Sequence, residues 1–287
     1  MCNKRYTYFI FCLLFVLLSS CSEYQKVLKS KDYEYKYSSA LKYFDEKKYA
    51  KAQTLFEDVT AHFRGTERSE DVLAYTARCC MGQKNYETAA EFYQTYIRSY
   101  PKGRYIIEAR FMVGHAYFMC SPDARLDQDQ TKKSIQFFTE FVELYPDSQY
   151  TNQAYEEMGK MTNKLAYKEF LNAKLYYNLG SYLGNNYLSS EMVAQNALKN
   201  YPSNDYQEDF NWLIFASKYQ QMMVSFEESK LDRAHDAEDE YYNFVTQFPD
   251  SKRINSAERM AKDIRKILNK ENAEEVKKTR KEKDIEI

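Results

Sequence analysis

Three histidines, six cysteines and two carboxylate clusters are the side chains of this 287-residue chain with the chemistry to hold a metal or attack a substrate. His62, His115 and His235 share no i, i+4 pairing or other ligand spacing. They read as packing or surface residues. Asp127-Gln128-Asp129 and the run Asp236-Ala237-Glu238-Asp239-Glu240 lack the glycine and the spaced ligands of a calcium loop. The first reads as a polar loop, the second as a solvated helix face. No Gly-rich phosphate loop or nucleophile elbow occurs. No catalytic residue, metal or cofactor is therefore expected, and the chain does not read as an enzyme.

The cysteines divide by position. Lys4 and Arg5 precede an apolar run of 13 residues, Tyr6 to Leu18, and then Ser19-Ser20 before Cys21. That order describes a secretory signal peptide. As a helix the run would span about 20 Å, too short for a hydrocarbon core of roughly 30 Å. Leu18-Ser19-Ser20-Cys21 also resembles a bacterial lipobox. The resemblance implies cleavage before Cys21, diacylglycerol on its thiol and an acylated amino terminus, so the only non-protein group expected is the covalent lipid on Cys21. Cys79, Cys80 and Cys120 remain. The adjacent pair is too constrained to bridge itself. One of the two could bridge Cys120, but small apolar packing on helices is the reading favoured.

Removing residues 1–20 leaves 39 basic against 42 acidic side chains, a net charge near −3. A nucleic-acid partner would need a basic footprint that this balance does not supply.

The elements that carry these residues follow from punctuation. Only 7 Gly and 5 Pro occur, and four prolines close a recurring phrase. The phrases end Arg98-Ser-Tyr-Pro101, Glu143-Leu-Tyr-Pro146, Lys199-Asn-Tyr-Pro202 and Thr246-Gln-Phe-Pro249, and an earlier copy, Ala61-His-Phe-Arg64, lacks the proline. Twelve residues before each end sits a small residue: Ala52, Ala89, Ser134, Ser190 or Ala237. Eight before stand Phe56, Tyr93, Phe138, Ala194 and Tyr241; four before, Thr60, Ile97, Val142, Leu198 and Val245; one before, always an aromatic. Steps of four and three residues keep these positions on one helical face. Proline then ends the helix, and Asp147-Ser148, Ser203-Asn204 and Asp250-Ser251 are expected to cap the next one.

Leu73, Ala77, Asn85-Tyr86, Ala89, Phe92-Tyr93 and Pro101 resemble the tetratricopeptide pattern of paired helices. The closing prolines lie 45, 56 and 47 residues apart, against about 34 in that pattern, so loops or extra turns must intervene, one of them near Ser121–Gln130. The fold expected is all-α, a tetratricopeptide-like right-handed helical solenoid of about five helix pairs plus a C-terminal capping helix over Asn255–Leu268. The expected organisation is a cleaved signal peptide at 1–20, a lipid-anchored linker at 21–32, the repeat domain at 33–270 and a charged tail, frayed or disordered, at 271–287. Tyrosine is abundant, 28 residues, about half at repeat core positions. Others lie near helix starts: Tyr33, Tyr35, Tyr37, Tyr105, Tyr150 and Tyr206. Large contact area at low entropic cost suits them to a peptide groove over residues 37–120, with Tyr37, Tyr75 and Tyr105 as its candidate residues.

A lipobox, five such pairs and a mature length near 270 residues together resemble the BamD family, the repeat lipoproteins of the outer-membrane β-barrel assembly machine. The sharpest local points are Leu144-Tyr-Pro-Asp-Ser-Gln-Tyr-Thr151 and the helical stretch from Lys164 to Tyr177. The resemblance implies a scaffold at the periplasmic face of the outer membrane. It implies that N-terminal repeats receive unfolded outer-membrane β-barrel proteins and C-terminal repeats hold the barrel-forming assembly subunit. The chain departs from the family at Arg64, where no proline closes the first repeat, at Gly180–Tyr187, which looks extended, and in its charged tail. No individual contact residue is carried over. A tetratricopeptide adaptor lipoprotein of a cell-wall, division or glycan-capture complex would share the anchor and the repeats.

Overall fold

The computed structural model describes residues 23–285, and the side chains of residues 23–270. Cys21 and the segment 1–20 lie outside the described residues. All regular secondary structure among the described residues is α-helical. After a short helical segment at 23–29, the helices are α1 (Tyr33–Asp45), α2 (Tyr49–Phe63), α3 (Arg68–Gly82), α4 (Tyr86–Ser99), α5 (Ile106–Cys120), α6 (Asp129–Leu144), α7 (Thr151–Leu179), α8 (Asn186–Asn200), α9 (Gln207–Met223), α10 (Glu227–Gln247) and α11 (Ile254–Ile285). They form five successive pairs, from α1/α2 to α9/α10, with α11 last. No helix of the described residues is long and apolar enough to cross a membrane. The segment expected to be a linker is helical at 23–29 and buries Val27 in the first core cluster.

The chain divides into two compact units, one ending at Met161 and the other beginning at Thr162, within α7. In the first unit consecutive helices from α1 to α6 pack on each other. The first half of α7 adds Ala154 and Met158 to the aromatic cluster of Phe111, Phe138 and Phe141. In the second unit Ala166 and Ala173 of α7 pack with Ala194 and Ala197 of α8 and Phe210 of α9. A further cluster joins Phe215, Phe244 and Ile264 from α9, α10 and α11.

The closing phrase shapes four helix ends alike. Tyr100, Tyr145, Tyr201 and Phe248 have φ between −129 and −135 and ψ between 61 and 67. That is the non-helical backbone which the ring of the next proline demands. Each still donates its N–H to the carbonyl four residues back, at 2.8–2.9 Å. Without proline, α2 runs one residue further, through Phe63.

Every small residue twelve before the end is fully buried, as its role requires: Ala52, Ala89, Ser134, Ser190 and Ala237 are each 0 % exposed. Ser134 donates its hydroxyl to the Gly114 carbonyl at 3.0 Å, so α5 and α6 touch almost backbone to backbone. The position four before the end is not the core position expected. Thr60 is exposed and Ile97, Leu198 and Val245 only half-buried, Val142 alone being buried there. The residues five before take the interior instead: Val59, Tyr96, Phe141, Ala197 and Phe244, all within 1 % of zero exposure. Steps of four, three and four from the small residue follow a 3.6-residue turn more closely than four, four and three.

Two other expectations are corrected. Ser148, Asn204 and Ser251 do not cap helices; each side chain accepts the backbone N–H two residues on, at Tyr150, Tyr206 and Arg253, forming the turn that leads into the helix. Gly180–Tyr187 is a compact turn, not extended: Gly180 ends α7 at φ +57, its N–H bonded to the Tyr176 and Tyr177 carbonyls and its carbonyl accepting from Asn186. A side chain at Gly180 would meet the Tyr187 hydroxyl at 2.9 Å.

Cys79, Cys80 and Cys120 are free thiols. Cys79 packs in the first core cluster and Cys80 in the second, so adjacent residues of α3 serve two different interfaces. Burial pushes their thiols up to about 12 and about 11. They are protonated, inert packing residues, as small apolar side chains would be.

Candidate functional site

Tyr37, Tyr75 and Tyr105 come from α1, α3 and the residue before α5, the first helices of three successive pairs. α3 brings them together through Asp71 and Arg78, two residues on one of its faces. The Tyr105 hydroxyl donates to Asp71 at 2.9 Å, and that of Tyr37 approaches the other oxygen at 3.5 Å. Arg78 lies between the other two rings, its guanidinium 4.9 Å from the Tyr75 centroid and 4.5 Å from that of Tyr105. Its fork donates to Glu108 of α5 at 2.8 and 2.6 Å. Burial alone would lower the Arg78 pKa, but the hydrogen bonds and charge of Glu108 outweigh it and hold the guanidinium firmly charged. Burial, then the Asp71 carboxylate, raises the pKa of both Tyr37 and Tyr105. Both phenols stay neutral donors.

The three tyrosines differ in access. Tyr37 is 6 % exposed. Its ring packs edge-on to Phe56 and Phe63 and lies under the Arg68 guanidinium, 4.8 Å away. It supports the surface from below. Tyr75 stacks on Phe56 at 5.5 Å and is half-buried, as is Tyr105. Beside them Glu67, Arg68, Glu70, Asp71 and Arg104 line an open cleft of about 570 Å³. Arg104 donates to Asp71 at 2.7 Å, and its backbone N–H to Glu70 at 2.5 Å. Glu70 also accepts from the Tyr96 hydroxyl, which in turn accepts the Tyr105 N–H at 2.9 Å. The cleft is lined by charged side chains, with the half-buried rings of Tyr75 and Tyr105 beside it.

Part of this geometry belongs to the repeat itself. In the second unit Arg253, four residues past Pro249, donates to Asp209 at 2.6 Å and to Glu208 at 3.4 Å, over the Trp212 ring. Glu70-Asp71 with Arg104 and Glu208-Asp209 with Arg253 are similar latches, each joining the first helix of a pair to an arginine just before the next helix but one. What the first unit adds is the Tyr75–Arg78–Tyr105 stack.

Of the remaining helix-start tyrosines Tyr35 is exposed, and the other three pack on neighbouring rings. Tyr33 stacks on His62 at 4.1 Å, Tyr150 on Phe111 at 4.8 Å, and Tyr206 on Tyr167 and Phe170 at 5.2 and 5.6 Å. His115 bonds through Nδ1 to the buried Glu157 at 2.8 Å. No group of side chains suited to a metal ion occurs among the described residues. Around Asp127–Asp129 the loop folds on Gln128, whose amide nitrogen donates to three backbone carbonyls within 3.2 Å. Asp71, Arg78, Arg104 and Glu108 were not singled out in the sequence. No local pattern marks them, because their hydrogen-bond partners stand about 30 residues away.

Residues 29–185, just over half of the chain, match the family described as YfiO, outer membrane lipoprotein. A curated relative, the outer membrane protein assembly factor BamD of Rickettsia prowazekii (strain Madrid E), is 24 % identical over 140 residues. The match covers 49 % of this chain and 56 % of that protein, so the chain spans little more than half the relative's length. Among solved structures, the TPR2AB domain of yeast Sti1 in complex with pHSP90 is similar at 14 % identity and a TM-score of 0.37, over 86 % of this chain and 96 % of that one. Human IFIT1, solved as a dimer with PPP-AAAA, is similar at 16 % identity and a TM-score of 0.26, over 80 % and 58 %.

Proposed function

Because this chain belongs to the YfiO family of outer membrane lipoproteins, we propose that it is a scaffold for outer-membrane protein assembly, tethered by lipid on Cys21 at the periplasmic face. Its work is binding, not catalysis. The first unit receives extended segments of unfolded β-barrel proteins, and the second holds the barrel-forming assembly subunit. The observation that carries the first assignment is the Tyr75–Arg78–Tyr105 stack beside a charged cleft. An extended peptide offers alternating side chains and unpaired backbone groups. Half-buried aromatic rings supply contact area for the former, and the hydroxyls and charges on the rim supply partners for the latter.

Arg78 is the residue on which the stack depends. Replacing it with alanine is expected to weaken binding of a synthetic barrel-strand peptide about thirty-fold, the effect of losing roughly 2 kcal/mol at an aromatic–arginine hot spot. Arg78→Lys keeps the charge but not the planar fork, and is expected to recover only part of that loss. Fluorescence anisotropy on the full-length protein reads both variants, and unchanged affinity in Arg78→Ala would remove the stack from the binding site. Co-purification with cell-wall enzymes or a glycan transporter, without a barrel assembly subunit, would favour the adaptor reading instead.

A further inference from the structure

A second pocket in the first unit shares no residue with the tyrosine cleft. Gln94, Ile97 and Arg98 of α4, Arg110 of α5, and Phe137, Glu140 and Phe141 of α6 line an open pocket of about 190 Å³, the volume of one large side chain. Its wall is apolar at Ile97, Phe137 and Phe141. Gln94 is already engaged, donating to the Tyr117 hydroxyl at 3.1 Å, and Arg98 donates to Thr95 at 2.9 Å.

Arg110 is different. Its Nε is removed from solvent and has no hydrogen-bond partner, and no ion pair to Arg110 occurs among the described residues. Arg78, one helix earlier, shows how this fold otherwise treats a half-buried arginine, with a two-pronged carboxylate partner. Arg110 is itself half-buried and lines the pocket with no carboxylate partner of its own among the described residues. The pocket lining carries two guanidiniums against the single carboxylate of Glu140, leaving a positive balance beside an apolar wall.

We infer that this pocket binds a segment of a partner protein presenting an acidic side chain next to an apolar one, the apolar group against Phe137 and Phe141 and the carboxylate on Arg110. A carboxylate in the pocket pairs with the Arg110 guanidinium by charge and through N–H donors other than the sealed Nε. The volume admits one apolar side chain, so the recognised unit is a dipeptide-sized feature. The site is independent of the tyrosine cleft, and peptides that fill one leave the other open.

The test uses acetyl-Phe-Glu-amide and acetyl-Phe-Gln-amide, titrated into the purified full-length protein and followed by saturation-transfer NMR. The acidic probe is expected to bind at least tenfold more tightly than its amide twin. Arg110→Gln should abolish that difference, and Glu140→Gln, which removes the opposing carboxylate without touching the apolar wall, should increase it. Equal binding of the two probes, no binding of either at millimolar concentration, or a preference that survives Arg110→Gln overturns the assignment. If Arg110→Gln fails to fold, the Glu140→Gln arm decides alone: an unchanged or reduced preference for the acidic probe refutes it.

Discussion

Phe138→Ala is expected to destabilise the first unit by about 3–5 kcal/mol, the cost of deleting a fully buried aromatic ring whose surroundings cannot close over the void. Phe138 is 0 % exposed and packs on Phe111 at 5.7 Å between centroids. Its ring also lies over Gly114 of α5, where a Cβ would come within 2.7 Å of it. That contact fixes how closely α5 and α6 approach, and the bond from Ser134 to the Gly114 carbonyl depends on the same approach. Thermal unfolding followed by circular dichroism should show the first transition lowered by roughly 10 °C or more. Gly114→Ala is expected to cost about 1–3 kcal/mol through overpacking. Because the two residues touch, the double variant Gly114→Ala/Phe138→Ala should cost less than the sum of the singles. Additive losses would mean that the close approach does not matter to stability.

Cys21→Ser is expected to abolish lipid attachment. One acyl chain of myristoyl length supports only marginal, reversible binding, on the order of 10⁴ M⁻¹, whereas further chains on the same residue make the anchor stable. Cells fed an alkyne-bearing palmitate analogue should label the wild-type chain and leave Cys21→Ser unlabelled. Exported behind an ordinary cleavable signal peptide, the Cys21→Ser chain should appear in the soluble periplasmic fraction. Label retained in Cys21→Ser, or a mature chain beginning elsewhere than residue 21, would contradict the tether.

The helix pairs were legible because their ends are written in the sequence. A proline after an aromatic stops four helices with one backbone geometry, and a small residue twelve earlier marks the place where the neighbouring helix touches. The interior was read less well. Val59, Tyr96, Phe141, Ala197 and Phe244 fill the core one residue before the position that alignment on the proline suggested, because a real helical face drifts by a fraction of a residue at each turn. Ser148, Asn204 and Ser251 have the residue types of helix caps but act two positions too early, a distinction that depends on where the chain bends.

The groove was half legible. Helix-start tyrosines suggested it, and Tyr37, Tyr75 and Tyr105 do converge on α3. Their hub could not be read, since Asp71 and Arg78 take their meaning from Tyr105 and Glu108 about 30 residues away. Nor could the sequence tell that Tyr37 lies beneath Arg68 as a support while Tyr75 and Tyr105 remain half open. The Arg110 pocket gave no signal at all, because an unpaired guanidinium is recognised only once all its neighbours are in place.

The most direct test of the scaffold is photocrosslinking in living cells from benzoylphenylalanine placed at Tyr75 or Arg104, with Tyr242 of the second unit as the control position. Both groove positions should capture unfolded outer-membrane β-barrel proteins during their synthesis, and Arg78→Ala should reduce that capture. Absence of barrel proteins at Tyr75 and Arg104, or equal capture of them at Tyr242, would contradict the assignment of the first unit as their receptor.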